Sequence, residues 1–167
     1  MMRKCLILLF IVFFITSVKA QNLNWHLTAQ AGAANYQFEN FQGAVLAGFE
    51  NFQGQQLSVG PVMKGYTINT EFKKVLGGRI YSQAKVYKEI SMYLQCDIFD
   101  GIRSQSFSAV KSPMRLETGA GIIYTYNQTI GVSAGYSIGE LNPINGARKN
   151  APVIKLVYLL PIGYRGW

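Results

Sequence analysis

From Arg115 to Glu140 the chain alternates with period two. Leu116, Thr118, Ala120, Ile122, Tyr124 and Tyr126 oppose Arg115, Glu117, Gly119, Gly121, Ile123 and Thr125. Beyond Asn127-Gln128-Thr129, Ile130, Val132, Ala134, Tyr136 and Ile138 oppose Thr129, Gly131, Ser133, Gly135, Ser137 and Gly139. Such alternation puts one apolar and one polar or glycine face on a β-strand. With the three-residue link as a hairpin loop, Tyr126 pairs with Ile130, Tyr124 with Val132, Ile122 with Ala134 and Ala120 with Tyr136. Both apolar stripes then share a face, because a one-residue slip would turn one of them over.

The same period recurs at Trp25–Ala31 and at Pro152–Tyr164, and even positions from Ile80 to Ile98 are apolar almost throughout. That last run is too long for one spanning strand and breaks at Lys88-Glu89; a helix over Gln83–Gln95 is the competing reading, since Val86, Ile90, Tyr93 and Leu94 also have helical spacing. Weaker alternation covers Ala44–Phe49 and Leu57–Phe72. Eight strands result, near 24–37, 44–50, 57–70, 79–87, 90–99, 115–126, 129–140 and 152–164. Eight is the smallest even number that closes a membrane barrel. The links 100–114 and 141–151 are long and polar and alternate with short ones, whereas 51–56 fits this alternation less well. Phe38-Glu39-Asn40-Phe41-Gln42-Gly43 recurs as Phe49-Glu50-Asn51-Phe52-Gln53-Gly54, which reads as a duplicated surface-loop motif or as paired aromatic tips.

The first twenty residues stand apart. Arg3 and Lys4 precede an apolar run from Cys5 to Ser17, and Val18-Lys19-Ala20 offers small residues for cleavage, the pattern of a Sec signal peptide. Residues 1–20 are therefore expected to be the signal and 21–167 a single barrel domain. No later apolar run is long enough for a membrane helix, so any span must be made of strands, and only a closed barrel satisfies their backbone groups in lipid.

The 167 residues include 16 Lys+Arg and 8 Asp+Glu; without Arg3, Lys4 and Lys19, 13 basic residues remain, a mild excess that suits anionic lipid headgroups, while export argues against nucleic acid. Once Cys5 departs with the signal, Cys96 is the sole thiol and is expected to face lipid; no internal disulfide is available.

Leu57-Ser58-Val59-Gly60-Pro61, Gly65-Tyr66, Leu76-Gly77-Gly78-Arg79-Ile80-Tyr81, the glycine-serine strands around Gly119–Gly139 and the closing Val153-Ile154-Lys155-Leu156 together resemble small outer-membrane β-barrel proteins of the OmpA/OmpX-like type, as common in Bacteroidota. The resemblance covers nearly all of the chain beyond the signal. It implies an all-β, eight-stranded antiparallel up-and-down transmembrane β-barrel in the outer membrane of a Gram-negative bacterium. Such barrels end on an aromatic residue in phase with the apolar face, whereas Trp167 is out of phase with Tyr164 and Ile162; a bulge at Gly166 would restore it.

Candidate chemistry is sparse. His26 is the only histidine and Cys96 has no second cysteine, so neither a metal site nor a cofactor is expected. A lipid-modifying barrel enzyme would need His26 as base, Glu117 or Asp97 to orient it and Ser133 as nucleophile; the plainer reading of His26 is an inward polar residue near the periplasmic rim. Arg79, Lys85, Glu89, Asp97, Arg115, Glu117 and Lys155 fall opposite the apolar stripe, where eight strands leave room only for side chains, which argues against a porin. Trp25, Tyr36, Tyr66, Tyr124, Tyr126, Tyr158 and Tyr164 suit interfacial girdles.

The expectation is thus a non-catalytic barrel with a structural, accessory or partner-binding role. Arg103, Lys111, Arg148 and Lys149 in its outward loops would meet lipopolysaccharide phosphates or a protein partner in a larger envelope complex. The alternative is a soluble periplasmic β-barrel or sandwich enclosing an apolar ligand, in which the same stripe would point inward.

Overall fold

The computed structural model describes residues 24–34, 40–51, 53–68, 71–100, 114–127, 129–141 and 148–162. Eight antiparallel strands, β1 (Asn24–Ala34), β2 (Asn40–Glu50), β3 (Gln55–Ile68), β4 (Glu71–Tyr87), β5 (Ile90–Asp100), β6 (Met114–Tyr126), β7 (Ile130–Leu141) and β8 (Arg148–Pro161), pair in chain order. β8 returns to β1, closing the barrel and leaving no free sheet edge. Residues 83–95 are strand apart from the Lys88-Glu89 turn, so the helical reading is excluded. The signal segment, Tyr36, Tyr164, Gly166 and Trp167 lie outside the described residues.

The hairpin register is the one predicted, with Tyr126 opposite Ile130 and Ala120 opposite Tyr136. Asn127 takes a left-handed φ of 51°, which asparagine tolerates better than most residues. Four strands begin two or more residues earlier than expected. β2 begins at Asn40 and β3 at Gln55, so the 51–54 link is a tight turn after all: the Asn51 side chain accepts the Gln53 and Gln55 amides, both at 3.0 Å, and Gly54 supplies a φ of 74°. β4 begins at Glu71 rather than 79, because Gly77 and Gly78 are strand residues. β8 begins at Arg148, ahead of the expected 152. The repeated motif brackets β2, with Phe41 outward at one end and Phe49 at the other, where it packs edge-on against Trp25.

The circuit of partners Asn24, Glu50, Gln56, Gln83, Tyr93, Gly121, Gly135, Val153 and Ala34 returns to β1 ten residues further along. Ten rises of about 3.3 Å against eight spacings of about 4.8 Å set a strand tilt of about 40°. At that tilt the outward side chains of β6 from Leu116 to Tyr126 span roughly 25 Å of height, the depth of an apolar bilayer band.

A lumen this narrow is filled by setting large inward side chains against glycines. Tyr93 covers Gly121 and Gly135, Phe99 covers Gly77, the Lys155 stem covers Gly32 and Gln95 covers Gly119. A Cβ at Gly121 would sit 2.5 Å from the Gly135 Cα and 2.8 Å from the Tyr93 ring, both closer than van der Waals contact allows. Gly121→Ala is therefore expected to lower the urea midpoint of the folded barrel by the equivalent of about 1–3 kcal/mol. Gly78→Ala, whose Cβ would meet nothing within 4 Å, should leave that midpoint unchanged or raise it.

Candidate functional site

The interior holds a polar network at mid-barrel. Arg79 on β4 forks onto Asp97 on the neighbouring β5, with Nε to Oδ1 and Nη2 to Oδ2 both at 2.7 Å. It also donates to the side-chain carbonyls of Gln30 on β1 at 2.6 Å and of Gln42 on β2 at 2.8 Å. One guanidinium thus ties together four strands, and both members of the ion pair are essentially inaccessible, at 1% for Arg79 and 0% for Asp97. The arrangement uses arginine's planar fork, which a lysine could not reproduce. Gln95 donates to the second Asp97 oxygen at 3.4 Å and accepts from Lys155, whose ammonium lies 4.3 Å from the centre of the Tyr93 ring. Tyr93 in turn stacks on Tyr81 at 5.7 Å, and the Tyr81 hydroxyl donates to Gln83.

A second buried pair, Lys64 on β3 with Glu117 on β6, crosses the lumen nearer the 101–113 link, and the Lys64 ammonium lies 5.2 Å from the centre of the Phe99 ring. Towards the opposite end, His26 and Ser58 join through Nε2 and Oγ at 2.9 Å. They can meet across β2 because their shared register partner is Gly48, and a Cβ there would collide with Ser58.

The sequence placed Arg79, Asp97, Glu117 and Lys155 in the lumen, and all four are buried there. Lys85 and Glu89 are exposed instead, because they stand at the rim, where the β4–β5 register shifts between Lys85 and Tyr87. The Arg115 side chain is outside the described residues. The enzyme constellation does not assemble: His26 takes Ser58 as its partner, Ser133 donates to the Lys155 carbonyl, and Asp97 and Glu117 are held by Arg79 and Lys64. Gln30, Gln42, Ser58, Lys64 and Gln95 were missed as network members. Lys64 was legible as the next inward position after Ser58, Gly60 and Val62, but which side chains meet across the barrel is set by the shear.

Of the four basic residues expected in loops, Arg103 and Lys111 lie outside the described residues. Arg148 and Lys149 are instead the first residues of β8, where Leu141 and Glu140 of β7 are their register partners; the strand starts early because the ladder resumes beyond the shift between Ser137 and Glu140.

The apolar stripe points outward on every strand. Trp25, Val45, Val59, Leu76, Met92, Leu116, Ile122, Val132, Ile138 and Leu156 are exposed, while their alternating neighbours line the lumen. Cys96 belongs to this outer face and is half-buried. Among the described outward positions Lys74 alone carries a charge. Trp25, Phe49, Tyr87, Tyr124, Tyr126 and Tyr158 gather at the end of the barrel that carries the 51–54, 88–89 and 127–129 turns. The reading as a container for an apolar ligand fails, because the surface meant to line its cavity faces outward.

Fold and interior together define a closed, eight-stranded antiparallel barrel with a plugged polar lumen and an apolar outer wall. No protein-family model matches the chain. No curated protein matches it significantly. Among solved structures it is similar to a designed barrel described as "De novo design of transmembrane beta-barrels", at a TM-score of 0.49 and 12% identity, over 82% of this chain and 95% of that one.

Proposed function

We propose that this chain is a small outer-membrane β-barrel of the OmpA/OmpX-like type with a non-catalytic, structural or accessory role. The observation that supports this reading is the outer wall. An apolar belt encircles all eight strands over about the height of a bilayer core, whereas soluble monomers rarely expose contiguous apolar patches beyond a few hundred Å². The interior complements it: the Arg79–Asp97 and Lys64–Glu117 pairs are desolvated inside the barrel.

In this reading the tight turns at 51–54, 88–89 and 127–129 face the periplasm and the links 101–113 and 142–147 face outward. Export through the Sec signal at residues 1–20 would deliver the chain there. Arg103, Lys111, Arg148 and Lys149 would engage lipopolysaccharide phosphates or a protein partner in a larger envelope complex.

The test is gel migration of the expressed membrane fraction with and without boiling. A heat-modifiable band in the outer-membrane fraction is expected, and an unshifted band in the soluble periplasmic fraction would overturn the membrane reading. For the basic residues, adding lipopolysaccharide to the purified barrel should raise its unfolding temperature, and changing Arg103, Lys111, Arg148 and Lys149 to Gln should reduce that gain. An equal gain in the variant would remove these residues from the proposal.

A further inference from the structure

Among the described residues, four take a left-handed φ: Gly54, Asn127 and Gly139, which suit it, and Lys88 at 44°, which does not. Lys88 opens the two-residue link between β4 and β5, where glycine or asparagine would spare the backbone its strain. A lysine held there needs a reason outside the turn. A second irregularity adjoins it. The β4–β5 ladder pairs Lys85 with Ser91 and Tyr87 with Ile90, which leaves Val86 as an extra residue. Bulges of this kind re-aim side chains. By the alternation of β4, Tyr87 would follow Tyr81 and Gln83 inward; instead it is 61% exposed, beside Val86 at 60%. The Lys88 ammonium lies 5.2 Å from the centre of that turned-out ring. Bulge and strained turn together set one cation over one phenol, at the end of the barrel where Trp25, Tyr124, Tyr126 and Tyr158 also gather.

That cation has no partner of its own in the described fold. Among the described residues the ion pairs are Arg79–Asp97 and Lys64–Glu117, and at the same rim Lys85 has Glu50 beside it. Glu89, next to Lys88, is exposed and holds the Thr125 amide through its backbone carbonyl at 2.9 Å. An ammonium and a phenol hydroxyl at the edge of an apolar belt match a phosphate at headgroup depth: the first supplies charge and the second a hydrogen-bond donor. We propose that Lys88 and Tyr87 form a site for the phosphate of an anionic phospholipid in the leaflet at the tight-turn end, presented by the β4 bulge and the left-handed turn. This deepens the membrane-barrel reading and rests on it, since the phosphate belongs to the surrounding leaflet.

The experiment is reversible urea unfolding of the full barrel in phosphatidylcholine vesicles with and without phosphatidylglycerol, at fixed ionic strength, read by the heat-modifiable band. Phosphatidylglycerol should raise the midpoint of the unchanged chain. Lys88→Gln should lose most of that rise, while Lys88→Arg keeps it. Lys85→Gln removes an equal charge from the same rim and should keep it too. A full rise in Lys88→Gln overturns the site, and so does an equal loss in Lys85→Gln, which would reduce the effect to net charge. A larger Lys88-dependent rise with lipopolysaccharide in place of phosphatidylglycerol overturns the assignment to phospholipid. In phosphatidylcholine alone, Lys88→Gly should unfold at a higher urea concentration than the unchanged chain, because glycine adopts the left-handed turn without strain; a lower midpoint there would contradict the strain on which the proposal draws. Solid-state NMR dephasing of the Lys88 Nζ nitrogen by lipid phosphorus needs no variant: dephasing is expected in phosphatidylglycerol-containing bilayers, and its absence overturns the contact. A chain that gives no heat-modifiable band in any vesicle fails the membrane reading itself, so the two failures are told apart.

Discussion

Arg79→Ala is expected to destabilise the barrel by about 3–5 kcal/mol, the cost of leaving a buried carboxylate without its partner. Asp97 would lose two of its three side-chain bonds, keeping only the 3.4 Å contact from Gln95, and the carbonyls of Gln30 and Gln42 would lose their donor as well. These losses share one guanidinium, so they do not add as independent increments. Reversible urea unfolding in detergent micelles, followed by the difference in migration between folded and unfolded bands, measures the effect. Replacing both members, as Arg79→Met with Asp97→Leu, should recover most of it, because an ion pair removed from water is often no more stabilising than apolar side chains of similar volume. A single-variant cost under about 1 kcal/mol would mean that solvent reaches the pair and that the lumen is not plugged at its centre, since exposed pairs are worth no more than that.

The second large effect lies on the outer wall. Leu156 is 60% exposed near mid-barrel, paired across to Ala31 and Val132. In water an exposed leucine can become arginine at a cost within about 0.5 kcal/mol. At the midplane of a bilayer the same change costs about 2–4 kcal/mol, falling to about 0–1 near the interface. Unfolding in lipid vesicles should therefore show Leu156→Arg as strongly destabilised and Leu160→Arg, four residues nearer the tight-turn end, as nearly neutral. Equal small costs at both positions would contradict a bilayer around the belt. The aromatic group at that end, including Trp25, Tyr126 and Tyr158, is where an interface would place amphipathic rings.

Much of this architecture is written in the period of the side chains. Alternation from Leu116 to Ile138 specified both strands and their register, since two stripes that must share a face admit one pairing around Asn127. It also put Arg79, Asp97, Glu117 and Lys155 on the face opposite the apolar stripe and Cys96 within that stripe. The signal faded where alternation did: between 38 and 79, glycines and polar residues alternate with small apolar ones, so β2 and β4 were drawn short and the Asn51 turn looked too long. Rim positions were also misread, because Lys85 and Glu89 share the parity of lumen residues but stand where the wall has ended.

By itself the sequence determined the strand count, the antiparallel hairpin order and which face of each strand is apolar, because these depend on neighbours in the chain and on a period of two. Only the tertiary structure decided that the apolar face turns outward and which inward side chains meet. Both depend on closure: a shear of ten residues brings Arg79 to Gln30, Gln42 and Asp97, and sets His26 against Ser58 across Gly48, contacts between strands whose separation along the chain carries no local signal.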